Sequence, residues 1–207
     1  MKKSIVIGIF LGSIVLLGYA LFQIIWSEYS MNRMVEEWNQ QVTIGQDSNQ
    51  DEIKVENLIE KYRMEPGKAN LKVLKRPNTG EIIGKMEIDR LDRTLPILQG
   101  SDSATLAKGV GHLPESVLPG EVGNSILAGH RDTVLRGLGE LKMGDFLTID
   151  TKEGSFLYEI IEHKIVDPDY QGLQLTHDKQ MLTIITCYPF DFIGPAPQRY
   201  ILTAQLK

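Results

Sequence analysis

Ile82-Ile83-Gly84-Lys85-Met86-Glu87-Ile88-Asp89-Arg90-Leu91 sets apolar side chains among charged ones, and Leu95, Ile97 and Leu98 follow after a turn. Interleaving of this kind is the period of a strand with one face in a core and the other in water. The same reading marks Ser125–Ala128, Phe146–Ile149, Phe156–Val166, Met181–Cys187 and Tyr200–Ala204, separated by Gly, Pro and Asp turn clusters. Short helical pieces are expected at Asp102–Ala107 and Val134–Leu141. Short strands with long loops, lacking a helix between each strand pair, fit a mainly all-β closed barrel better than a βαβ fold.

Upstream of the strands the chain has a different character. Ser4 to Trp26 reads SIVIGIFLGSIVLLGYALFQIIW, 23 uncharged positions, more than the roughly 20 a helix needs to cross a bilayer. It is too long for the apolar core of a signal peptide, and Ala20 offers only a weak cleavage site. Lys2 and Lys3 precede it, whereas Glu28, Glu36 and Glu37 outnumber Arg33 after it. The positive flank stays in the cytoplasm, so the rest of the chain is expected outside, with Trp26 and Tyr29 at the interface. Residues 1–29 are read as a cytoplasmic tip and membrane anchor, 30–79 as an extracellular stalk, and 80–207 as one catalytic domain. Within the stalk, Val35, Trp38, Val42, Ile53, Val55, Leu58 and Ile59 suggest broken helical turns, and Gly45, Asp47, Ser48 and Asn49 a flexible break.

The formal charge of −5, with no Lys/Arg run longer than a pair, leaves no electrostatic footprint for nucleic acid. A single cysteine excludes an intramolecular disulfide and a thiolate zinc cluster. Cys187 ends the apolar run Thr183-Ile184-Ile185-Thr186-Cys187 and is followed at once by Tyr188-Pro189. Its thiol is therefore expected where a strand meets a loop, and it needs a base or a cation nearby to become a strong nucleophile. His130 closes a second apolar run, Ser125-Ile126-Leu127-Ala128-Gly129-His130, before Arg131-Asp132-Thr133. Histidine is the side chain best suited to take and give the proton that acyl transfer moves. Arg199 follows Gly194-Pro195-Ala196-Pro197, a loop able to bring it back beside the cysteine. A guanidinium there would hold a developing oxyanion or grip substrate carbonyls.

These residues and their spacing resemble the sortase family of cysteine transpeptidases. Thr183-Ile184-Ile185-Thr186-Cys187 looks like the family's Thr-Leu-x-Thr-Cys signature with Ile184 in place of Leu, and Leu127-Ala128-Gly129-His130-Arg131-Asp132 resembles its histidine motif. Arg199 falls where the family's arginine is expected. Lys108-Gly109-Val110-Gly111-His112, Pro119-Gly120-Glu121 and Gly123-Asn124 are also similar, so the likeness covers roughly residues 80 to 207.

The resemblance implies an eight-stranded barrel whose groove takes a Leu-Pro-x-Thr-Gly or Leu-Pro-x-Thr-Ala sorting signal. Cys187 would attack the threonine carbonyl to form a thioester, with His130 as acid and base. Arg199, together with the Tyr188 backbone N–H, would serve the oxyanion. Ala128, Thr183, Ile185, Thr186 and Tyr188 would line the substrate groove. The implied partners are proteins bearing a C-terminal sorting signal, an amine of a peptidoglycan precursor, and the cytoplasmic membrane. Within the family, the short anchor, the compact domain and the Gly-His-Arg-Asp run suit class D. Asp167-Pro168 lies in a loop after a strand rather than in the N-terminal lid of a pilus-building sortase, and no second membrane helix is expected after the barrel.

Three alternatives stay open on the residues alone: a class A housekeeping sortase, another cell-wall cysteine peptidase, and a non-enzymatic membrane-tethered β-domain with a buried cysteine. Exposure of Cys187 discriminates the last. His112, His163 and His177 read as loop or strand-edge histidines, and Asp132 as a turn acid. Asp167, Asp169 and Asp178 carry calcium-type ligands without regular spacing, so no metal or other cofactor is expected.

Overall fold

The computed structural model of the chain describes residues 2–47, 76–192 and 194–207. Eight strands close into a barrel: β1 (Ile82–Ile88), β2 (Arg93–Gln99), β3 (Val110–His112), β4 (Gly123–Ala128), β5 (Phe146–Thr151), β6 (Gly154–Val166), β7 (Gln180–Tyr188) and β8 (Gln198–Leu206). Their order around the barrel is β1-β2-β3-β4-β7-β8-β6-β5, with β5 pairing back onto β1. Two of the pairings, β2 with β3 and β4 with β7, are parallel, and the others are antiparallel. Closure leaves no sheet edge unpaired, which removes the usual hazard of an open β-sheet.

Each strand buries alternate residues inside. Met86 and Ile88, Leu95 and Ile97, Leu147 and Ile149, Tyr158 and Ile160, Leu182 and Ile184, and Tyr200, Leu202 and Ala204 form one continuous core. The five downstream strands read from the sequence are all present, each extended by one or two residues at one or both ends. β3 is an addition. Val110-Gly111-His112 has only three residues and a central glycine, too little for an alternation to register.

The short helices behave differently from each other. Asp102 caps α2 (Ser103–Leu106), its carboxylate accepting from the Ala104 and Thr105 N–H groups. Between Val134 and Leu141, by contrast, there are turns and one 3-10 turn, Leu138–Glu140. Gly137 takes a left-handed conformation there, at φ +82°, which ends any regular helix.

The N-terminal helix α1 (Lys2–Asp47) is long and apolar enough to cross a membrane, with a mean hydropathy of 2.1 over its best window. It runs past residue 29 without interruption and continues through Gly45 and Asp47; Ser48, Asn49, Ile53, Val55, Leu58 and Ile59 lie outside the described residues. Instead of broken turns, Met31, Met34, Val35, Trp38 and Val42 form one helical stripe at spacings of three and four, and this stripe packs against β1 and β2. Trp38 is only 1% exposed and Met31 joins the barrel core.

Neighbouring positions on the inner face of β4 make opposite stability predictions. Leu127 is fully packed in the core, whereas Ser125 carries a buried hydroxyl that finds no hydrogen-bond partner among the described residues. Leu127→Ala is expected to cost about 2–5 kcal/mol in a denaturant titration of the full chain, and Ser125→Ala to be neutral or stabilising by about 1 kcal/mol.

Candidate active site

Cys187 and Arg199 sit directly opposite each other across the antiparallel β7–β8 pair. Leu182, Ile184 and Tyr188 turn into the core, so Cys187 belongs with Ile185 on the outer face of β7. Arg199 lies on the same outer face of β8, beside Ile201, which is itself opposite Ile185. Both Cys187 and Arg199 are partly exposed. An accessible thiol at a strand end does not suit a cysteine retained only for packing.

The third residue arrives from the parallel neighbour. β4 pairs with β7 as Ile126 opposite Thr183 and Ala128 opposite Ile185, and the Gly129 N–H then donates to the Ile185 carbonyl at 3.2 Å. Carrying that register two residues onward brings His130 level with Cys187. Gly129 has a steric reason for its identity, because a Cβ there would lie 2.8 Å from Leu135 Cγ. The chain thus turns tightly under Leu135 just before the histidine, and the Leu135 N–H donates back to the His130 carbonyl at 2.8 Å.

Of the residues expected to contact substrate, Ala128 and Ile185 are half-buried and paired with each other on the same outer face as Cys187. Thr183 and Thr186 are buried, with their hydroxyls committed to the protein. Thr183 is 2% exposed, and its hydroxyl donates to Asn124 Oδ1 at 2.9 Å. Its strand face is covered by the β6–β7 loop, where Gln174 and Leu175 receive hydrogen bonds from Asn124. Thr186 is 3% exposed and donates to the Gly129 carbonyl at 2.8 Å, so it ties the cysteine strand to the histidine turn rather than meeting a ligand. The Tyr188 ring also turns inward, stacking on Tyr200 and meeting Phe190 edge-on.

The Arg199 guanidinium folds over its own loop, donating to the carbonyls of Gln198 at 3.0 Å and Ala196 at 3.3 Å. Among the described residues, no hydrogen bond joins Asp132 to His130. On its other side His130 borders a cavity of about 840 Å³ between the barrel and α1, whose walls include Ser27, Glu28, Met31, Arg93 and Arg136.

In the sequence Arg131 reads as one of the charged loop positions after His130. It is only 9% exposed. The loop it belongs to is also held from the barrel side, where Arg93 donates to the carbonyls of Arg136 at 2.9 Å and Thr133 at 3.3 Å. A charged side chain reads as a solvated one, and its acceptors here are backbone carbonyls that no sequence pattern announces.

The chain matches the model of the sortase domain over residues 86–207. The chain belongs to the sortase family. It is 38% identical to Sortase D of Bacillus subtilis (strain 168) over 203 residues, covering 98% of this chain and 97% of that one. Among solved structures, a Clostridium perfringens Sortase D5 transpeptidase shares 31% identity at a TM-score of 0.59, over 66% of this chain and 85% of that one. Sortase C from Clostridium perfringens SM101 shares 26% identity at a TM-score of 0.63, over 83% and 97%. The fold is therefore a sortase barrel, and the enzyme a cysteine transpeptidase.

The remaining histidines of this sortase lie elsewhere. His163 stacks on Tyr200 and His177 meets Asp178 at 3.0 Å. His112 is buried rather than at a strand edge, 1% exposed, with Nδ1 2.9 Å from Gln99 Oε1 and Nε2 2.8 Å from the Val117 carbonyl and 3.1 Å from Ser116 Oγ. Burial pushes its imidazole below the ordinary 6.5, helped by the Arg76 charge and opposed by the Val117 carbonyl. The folded chain thus takes up this proton less readily than the unfolded one. The stability contribution of neutral His112 is complete above pH 6.5 and declines as pH falls from there toward the lower folded value. Thermal melts between about pH 7.5 and 5.5 should show wild-type stability dropping more steeply with acid than His112→Gln does; parallel profiles would contradict this.

Proposed function

We propose that this enzyme is a class D sortase of the outer face of a bacterial cytoplasmic membrane, anchored by α1 with Lys2 and Lys3 inside. It cleaves a Leu-Pro-x-Thr-Gly or Leu-Pro-x-Thr-Ala signal after the threonine and joins the new carboxyl end to an amine of a peptidoglycan precursor. The observation that carries this reading is the shared outer-face position of Cys187 and Arg199, with His130 level with them on the adjoining strand. The Sortase D relative, similar along nearly the whole chain, supports the class. The length and apolarity of α1, with basic residues before it and acidic ones after, support the anchoring and its direction.

In this mechanism the extended signal lies in the groove over Ala128 and Ile185, with its threonine carbonyl beside Cys187. The thiolate sulfur attacks that carbon, and the carbonyl electrons move onto oxygen. Arg199 then turns from its own loop carbonyls toward the oxyanion. Collapse of the tetrahedral species expels the amine of the next residue, which takes its proton from His130. The resulting thioester is attacked by the incoming amine, whose proton passes back to His130, and the thiolate leaves with the peptide joined to the precursor. Because the proton that His130 gives up in acylation returns to it in aminolysis, the full cycle restores the pair to its starting protonation and consumes no cofactor.

The test is incubation of the full chain in detergent micelles with each peptide, read by mass spectrometry. An acyl adduct on Cys187 that lacks the residues after threonine, and that added amine depletes, is expected. Cys187→Ala should form none, His130→Ala should slow formation about 10²–10⁴-fold, and Arg199→Ala about 10²–10³-fold. Labelling of Cys187 by a small thiol reagent without any acyl adduct would reject these substrates.

A further inference from the structure

His130 and Cys187 are brought level by strand register, but neither is inside a strand's protected interior. His130 opens the turn-rich segment of residues 130–137, and Cys187 lies one residue from the β7–β8 loop of residues 189–197. Arg199 is the second residue after that loop, near the start of β8. All three groups therefore depend on two loops, and loops are the least constrained backbone in a barrel.

Arg131 joins these loops. Its side chain donates from Nη1 to the Pro189 carbonyl at 2.9 Å and from Nη2 to the carbonyls of Phe192 and, at 3.0 Å, Gly194. The guanidinium also lies 5.8 Å from the centre of the Phe192 ring. A planar fork with fixed donor directions is the one side chain able to meet several diverging carbonyls at once; a lysine offers a single point of charge. A second contact runs in parallel. Phe190 of the same loop packs on Gly139, where an added Cβ would stand 2.4 Å from its ring. The segment after His130 and the loop after Cys187 are thus one clamped unit, with Arg131 at its polar centre.

We propose that Arg131 is a positioning residue for the transpeptidation. By holding the β7–β8 loop against the His130 turn, it keeps His130, Cys187 and Arg199 in mutual register through both acylation and aminolysis. It touches none of the reacting atoms. The proposal rests on the catalytic reading above. Small displacements of reacting groups are costly, since a shift of about 1 Å can lower a rate on the order of 10²-fold.

The experiment compares wild type, Arg131→Lys, Arg131→Ala and His130→Ala as full chains in detergent micelles. Steady-state cleavage of the preferred sorting peptide is measured alongside the pH profile of Cys187 alkylation by iodoacetamide. Arg131→Lys keeps the charge and loses the fork, so it should melt within a few degrees of wild type. Its kcat is expected to fall at least tenfold with KM within about twofold, and its alkylation profile to move toward that of His130→Ala. Arg131→Ala should show the same pattern more strongly; should it fail to fold, Arg131→Lys alone decides. A folded variant with kcat within twofold of wild type, or one that raises KM and leaves the alkylation profile untouched, would overturn the proposal. Absence of acylation in the wild type would instead reject the catalytic reading, a different result from acylation that no Arg131 variant impairs.

Discussion

The parallel pairing of β4 with β7 sets the geometry on which the rest of the molecule depends. Parallel neighbours cannot be joined by a tight turn, so the chain between them must travel around the barrel before it returns. Here that excursion contains the turn-rich segment after His130, β5, β6 and the β6–β7 loop. Because the two strands point the same way, their C-terminal ends finish side by side, with His130 two residues beyond the end of β4 and Cys187 next to last in β7. The closed barrel then makes this register hard to change. A slip of one residue would turn Leu182 and Ile184 out of the core and Cys187 into it. Packing of the interior and presentation of the thiol are two results of one hydrogen-bond register.

Much of the barrel was legible because its strands announce themselves. Phe156–Val166 and Met181–Cys187 are rich in β-branched and aromatic residues, and turn residues mark their ends. The pairing of Cys187 with Arg199 was within reach for the same reason: a proline- and glycine-bearing loop between two apolar runs implies an antiparallel return. The placement of His130 was suggested by the resemblance of its run to that of Cys187, although the sequence does not tell that the two strands are adjacent.

What escaped notice depends on contacts between distant segments. Thr183 and Thr186 sit beside the cysteine in sequence, yet both hydroxyls are committed to the protein, one to Asn124 and one to the Gly129 carbonyl. Nothing local distinguishes a threonine that meets a ligand from one that stitches two strands together. The helical stripe from Met31 to Val42 was visible as scattered apolar positions, but its partner surface on β1 and β2 comes from the tertiary fold. Arg131 is the extreme case, since its acceptors lie 58 to 63 residues away and are all backbone oxygens.

With α1 anchored in the membrane as proposed, its lack of interruption would govern how the enzyme meets its substrates. A disordered spacer would let the barrel sweep a hemisphere above the bilayer, its reach growing with the square root of length. A helix locked to the barrel by Trp38 and Met31 removes that freedom. The twelve residues from Trp26 to Trp38 span about 18 Å at 1.5 Å per residue, so with Trp26 at the lipid surface the docking point stands at a nearly constant altitude. Encounter then becomes a two-dimensional problem. Under the proposed anchoring, lateral diffusion in the bilayer, rather than thrashing of a tether, would set how often the enzyme finds a substrate, and only peptides presented in that thin layer would be within its range.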